Sequence, residues 1–223
     1  MNVFIAVAAF GSWIGMTLLG HGTLSLSGLG NLKYFTILSN LFAGAVAIIW
    51  LIKAREGDGR KAPKSAGEDE GAEDGRKAPK SAGARVERLK FIAACAVGLT
   101  FVTVVVFLGP LYGYISMFSG FNLFLHLVVP VAAMAEIVFL ADAEYTRRDN
   151  FLVVVPPLLY GAVYLANNVI NGRGEWPDTN DWYSFLAWGY PVGIVIFVII
   201  CLVTWLIGFA MRKAGSRRRA AKN

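Results

Sequence analysis

Charge is scarce in this sequence outside two places. Only 16% of the 223 residues are charged. Residues 53–90 hold 11 Lys/Arg and 8 Asp/Glu, and the stretch from Arg212 onward adds six basic residues, so the other 173 residues share 11 charges. Soluble domains are about 25% charged and 45–50% apolar, against 56% hydrophobic here. A chain with so little charge cannot coat a globular surface. A soluble domain, a disordered protein and a nucleic-acid binder with a basic face spread over its fold are excluded. The only two cysteines, Cys95 and Cys201, both lie inside apolar runs, which excludes a disulfide scaffold. Two histidines and no Cys/His spacing of the metal-binding kind leave no metal site and no cofactor to expect. The chain also lacks a glycine-rich phosphate loop and a serine elbow, which removes most soluble-enzyme readings.

What the chain has is apolar length. A helix needs about 20 apolar residues to cross a hydrocarbon core roughly 30 Å thick. Six runs qualify: Val3–Gly20, Tyr34–Ile52, Phe91–Gly109, Phe121–Ala141, Phe151–Val169 and Phe185–Ala210. None alternates apolar and polar residues as a membrane β-strand does. The first lacks a basic leading segment and a small-residue cleavage site, so it reads as a retained helix. Pro110, Pro156, Pro157 and Pro191 within or beside the runs are tolerable where neighbours re-satisfy the freed backbone groups. The expected fold is therefore all-α, a polytopic membrane protein forming one six-helix domain over residues 1–223. Lys and Arg fall 19 to 2 in favour of the side that carries both termini, and by the positive-inside rule that side is cytoplasmic.

Between the second and third runs, GRKAPKSAG occurs at 59–67 and again at 75–83, separated by GEDEGAED. A Gly/Ala/Pro/Lys/Glu composition without aromatics buries too little surface to fold. Residues 54–88 are thus expected to be a disordered cytoplasmic loop, with a polybasic lipid-binding patch as the competing reading, and residues 212–223 a basic cytoplasmic tail.

Polar groups inside apolar runs are costly and face the bundle interior, which makes them the place to look for function. In the second run Thr36, Asn40, Ala43 and Ala47 recur at helical spacing and form one stripe. Helix packing accounts for that stripe as well as function does. The fourth run reads Phe-Asn122-Leu-Phe-Leu-His126, then Pro130 and Glu136. His126 could be a hydrogen-bonded structural group, a proton carrier or a general base, and Glu136 reads as a structural acid. Thr36 and His126 enter their helices from the same end, at depths of about 5 and 8 Å from 1.5 Å rise per residue. A hydroxyl and an imidazole at matched depth meet the precondition for a nucleophile–base pair. The fifth run brings Tyr164, Asn167 and Asn168 to that level, and the loop Trp176-Pro177-Asp178 to Trp182-Tyr183 offers aromatics suited to an interfacial lid.

At these residues a family likeness enters. Tyr34-Phe35-Thr36 followed by Ser39-Asn40, and His126 with Pro130 one turn on, resemble the androgen-induced/ADTRP family of multi-span membrane proteins, and more closely its bacterial Pr6Pr-type relatives. The likeness covers the six-span order and the two motifs Y-F-T-x-x-S-N and H-x-x-x-P. It implies an intramembrane threonine hydrolase of the bacterial plasma membrane, acting on fatty acid esters of hydroxy fatty acids or similar amphiphiles. By motif, the nucleophile role falls on Thr36 and the base role on His126. Asn40, Asn122, Tyr164 and Asn167 are the expected substrate-binding residues, a membrane lipid the expected partner, and nucleic acid is not expected. A non-catalytic lipid- or small-molecule-binding protein or transporter using the same polar pocket stands as the alternative.

Overall fold

The computed structural model describes residues 1–19, 28–59, 80–175 and 179–222. No strand occurs among them. Six helices are long and apolar enough to cross a membrane: Asn2–Leu19, Phe35–Glu56, Gly83–Tyr112, Phe121–Leu140, Arg147–Asn171 and Tyr190–Ala221. We call them spans one to six. Large apolar side chains such as Val7, Leu18, Phe139, Val163, Ile170 and Val198 point outward from them, a surface unsuited to water.

Contacts fix which ends lie together. Asn2 and Lys90 both reach Glu136, which joins the starts of spans one and three to the end of span four. Arg88 pairs with Asp149 at 3.1 Å, adding the start of span five. Arg218 donates to the carbonyls of Phe139 and Ala141, adding the end of span six. Both termini therefore lie at one end of the bundle, here the terminal end. Thr36, Asn122 and Asn168 lie toward the other.

Spans one to four form the inner packing, and its seams are small. Ala6, Ala9, Ala43, Ala47, Ala93 and Ala94 are buried in one cluster, as expected where helices associate by close backbone approach. A Cβ on Gly15 would meet the Phe121 ring at 2.3 Å, so span one closes on the head of span four only with glycine there. Span three is the most buried of the six, at 56% of its apolar window, and spans five and six are the least, at 28% and 22%.

Several boundaries differ from expectation for local reasons. Span five starts early because Thr146 and Asp149 make a reciprocal capping box. Span six starts late: Gly189 turns at φ 92° and Pro191, at the second helical position, has no N–H to lose there. The expected basic tail is not separate, since the last helix runs on as Tyr190–Lys222. The loop expected to be disordered over 54–88 is helical at both ends, with helices ending at Gly59 and beginning at Lys80. Its middle lies outside the described residues, as do Trp176, Pro177 and Asp178.

Two of the prolines reshape their helices. Val104–Leu108 precedes Pro110 and Phe124–Val128 precedes Pro130, and both segments are π-helical. Proline lacks an N–H and its ring crowds the carbonyl of the turn before, so widening that turn relieves the clash. A third π segment, Glu136–Leu140, ends span four where Ala141 turns extended.

Candidate functional site

The first residues of span two meet an aromatic cap. Helix N-termini carry unpaired N–H groups, and Phe35 N–H donates to the Tyr183 hydroxyl at 2.9 Å. Tyr160 donates to the Lys33 carbonyl at 2.6 Å and accepts from Trp182 Nε1 at 3.0 Å. The Phe35 and Tyr160 rings meet edge-on at 5.2 Å. Below them Tyr164, almost fully buried, donates to Asp181. Asp181 also receives Leu186 N–H on both oxygens and lies 3.7 Å from Arg173. Burial pushes the Tyr183 phenol up to about 12, so it is a neutral hydrogen-bonding group at physiological pH.

One turn into span two sits the seam with span four. Asn40 is wholly buried. Its amide nitrogen donates to the Thr36 carbonyl at 2.7 Å and to the Leu125 carbonyl at 3.0 Å. Leu125 is orphaned by its own helix: Val129 N–H goes to Phe124 in the π-turn, and Pro130 has no N–H to offer. Asn40 thus ties the backbone at Thr36 to the residue next to His126. Ser39 faces the other way, its hydroxyl 3.1 Å from that of Thr100 on span three.

His126 lies inside the π-turn and is buried. Its Nδ1 is 2.7 Å from the Met117 carbonyl. A carbonyl only accepts, so Nδ1 carries the proton and Nε2 is the basic nitrogen. A backbone carbonyl thus orients the ring, while the Asp181 carboxylate is committed to Tyr164, the Leu186 N–H and Arg173.

Across the seam of spans two and four the structure joins Asn40 to the backbones of Thr36 and of Leu125, the residue before His126. Asn122 is buried on span four, four residues before His126. Tyr164 belongs to the aromatic cap, which reaches span two through Tyr183, whose ring lies 6.2 Å from its own. Asn167 is half-exposed and accepts from Asn171 at 2.8 Å, outside both groups. Asn168 is the inward residue of that pair, donating to the carbonyls of Tyr164 and Asn180. The Asn40 side chain cannot stabilise an oxyanion, because its N–H groups are engaged. Only its buried Oδ1, without a partner among the described residues, remains open to a ligand's donor.

A second polar centre, at the terminal end, was not visible as such in the sequence. Lys90 and Glu136 are paired at 2.6 Å with both side chains buried. Asn2 donates to the same Glu136 oxygen at 2.7 Å, Lys90 lies 4.6 Å over the Trp50 ring, and Trp50 Nε1 donates to Glu87 at 2.7 Å. A cavity of about 20 Å³ beside Asn2, Lys90 and Glu136 has room for one water. Sequence reasoning counted Lys90 with the charged loop. The usable signal was depth: Lys90 opens span three and Glu136 stands near the end of span four, so the two lie level.

Compared with family models, curated proteins and solved structures, the chain matches none.

Proposed function

We propose that this chain is an intramembrane hydrolase of amphiphilic lipid esters, with Thr36 as nucleophile and His126 as general base, both termini being cytoplasmic. The observation that carries the reading is the His126–Met117 hydrogen bond. It fixes the tautomer with Nε2 basic, which is the state a general base requires. The Y-F-T-x-x-S-N and H-x-x-x-P motifs point the same way.

In the first half-reaction His126 Nε2 takes the Thr36 hydroxyl proton as Oγ1 attacks the ester carbonyl. The tetrahedral intermediate collapses by breaking the bond to the leaving alcohol, which receives the proton from His126. In the second, a water gives its proton to His126 and attacks the acyl-threonine. Thr36 leaves with that proton, and a fatty acid is released. Placement one to two turns inside the bundle end suits a substrate entering sideways from the leaflet with its ester near headgroup depth.

The test is hydrolysis of a fatty ester by purified variants. Thr36→Ala and His126→Ala should each abolish turnover, the double variant should be little worse than either, and Thr36→Ser should keep part of the rate. Full activity in Thr36→Ala would remove Thr36 as the nucleophile, and no hydrolysis by the unsubstituted protein would end the hydrolase reading and leave a lipid-binding protein.

A further inference from the structure

At the terminal end a depression of about 390 Å³ is lined by Glu144, Tyr145, Ser216, Arg219 and Ala220. Two donors on this surface are buried and have no hydrogen-bond partner among the described residues: the Tyr145 hydroxyl and Arg219 Nη1. Tyr145 is only 7% exposed. Its ring is stacked on Phe91 at 4.4 Å, which holds the hydroxyl in place. An orphaned buried hydroxyl and an orphaned guanidinium N–H are each costly unless a ligand pairs them.

The neighbouring acids do not fill that role. Glu136 is held by Lys90 and Asn2, Glu87 by Trp50, Asp149 by Arg88 and its cap, and Asp142 by Arg218. Glu144 is in the lining but exposed, and the structure gives it no ion pair with Arg219. Burial first, and then the Glu87 charge, push the Tyr145 phenol well above its ordinary range, so it stays a donor. The Ser216 hydroxyl at the rim donates to the Lys213 carbonyl, and Arg147, Arg148 and Arg217 are exposed close by in sequence.

We infer that this depression is a binding site for a phosphate ester, the headgroup phosphate of a phospholipid in the leaflet at the terminal end. Arg219 and the Tyr145 hydroxyl are its principal donors. Guanidinium and hydroxyl donors suit phosphate oxygens, and the depression is in the size range of small-ligand sites. It opens where headgroups would lie if spans three, four and six cross a bilayer. The inference is independent of the hydrolase chemistry.

The test uses the full chain in detergent, titrated separately with dioleoyl phosphatidylglycerol, with dioleoylglycerol lacking the phosphate, and with inorganic phosphate. Binding is read by native mass spectrometry and by the thermal midpoint. The phospholipid should bind saturably and raise the midpoint, and the diacylglycerol should do neither. Arg219→Gln and Tyr145→Phe, the second keeping the stacked ring, should each weaken binding about tenfold, since hydrogen bonds to charged groups carry that order of effect. Glu144→Gln should tighten it by removing a like charge. Undiminished phospholipid binding in both Arg219→Gln and Tyr145→Phe, or equal binding of the diacylglycerol, would overturn the site. Inorganic phosphate binding as tightly as the lipid would overturn the lipid source and assign the site to a free anion.

Discussion

Asn40 on span two donates to the carbonyl of Leu125 at 3.0 Å, and Leu125 stands five residues before Pro130, whose ring nitrogen has no hydrogen to give. The same arrangement occurs on span three. Val105 stands five residues before Pro110, and its carbonyl accepts from the Tyr114 hydroxyl at 2.8 Å. In both helices a π-turn precedes the proline. In both, the carbonyl that loses its helical donor is satisfied by a side chain, as an apolar surrounding demands. On span four the donor comes from another helix, which makes Asn40 a positioning residue for the turn that carries His126.

This relationship predicts coupling between Asn40 and Pro130. Asn40→Ala should cost about 1–3 kcal/mol by leaving a buried carbonyl unpaired. In a Pro130→Ala background, where residue 130 regains an N–H, the same change should cost at least about 1 kcal/mol less. Thermal unfolding of the four proteins in detergent gives the coupling. Equal costs in both backgrounds would mean that Asn40 does not replace the missing donor.

The Lys90–Glu136 pair predicts an asymmetry of a different kind. Removing one partner, as in Lys90→Met or Glu136→Leu, leaves an uncompensated buried charge and should destabilise by about 3–5 kcal/mol. The double variant Lys90→Met/Glu136→Leu should recover most of that loss, because two apolar side chains need no counter-ion. A double variant as unstable as the sum of the singles would show that the pair contributes more than mutual neutralisation.

Tyr183 gives a pH-dependent expectation. Its phenol is raised by burial to about 12, against an unfolded value near 10. Below pH 10 both states keep the proton and its contribution to stability is whole. Between pH 10 and 12 the unfolded chain ionises first, so stability falls as pH rises. Tyr183→Phe should remove this share of the alkaline loss, and at neutral pH should cost about 1 kcal/mol through the uncapped Phe35 N–H. Unfolding midpoints against pH for the two proteins would show it, and parallel curves would refute it.

Orientation is checked by single cysteines, with Cys95 and Cys201 removed. Ser119→Cys, at the end opposite the termini, should react with an impermeant maleimide on intact cells. Ala84→Cys, at the terminal end, should react only after lysis. The reverse pattern would invert the proposed topology.

The spans were legible because crossing length and charge scarcity are properties of composition, and six apolar runs appear at nearly the expected positions. Helix ends were not, since they depend on local caps: the Thr146–Asp149 box moved one start, and the continuation past Arg212 turned a tail into helix. Thr36, Asn40 and His126 could be singled out as polar residues at shared depth. The bonds that define their roles could not. Met117 reaches His126 only because the turn over 113–120 folds back on span four, and the need for Asn40 arises from a π-turn that Pro130 induces. Asp181 went unnoticed because its loop has no periodicity to place it, although it anchors Tyr164. Lys90 was hidden by the charge run that it ends.

Whether Thr36 Oγ1 is a nucleophile is decided by locating its covalent adduct. The purified full-length protein is reacted with a long-chain fluorophosphonate, digested and mapped by tandem mass spectrometry. A phosphonyl group is expected on the Thr36 side chain, formed much more slowly in His126→Ala and absent in Thr36→Ala. An unmodified protein, or an adduct elsewhere that persists undiminished in Thr36→Ala, would contradict it.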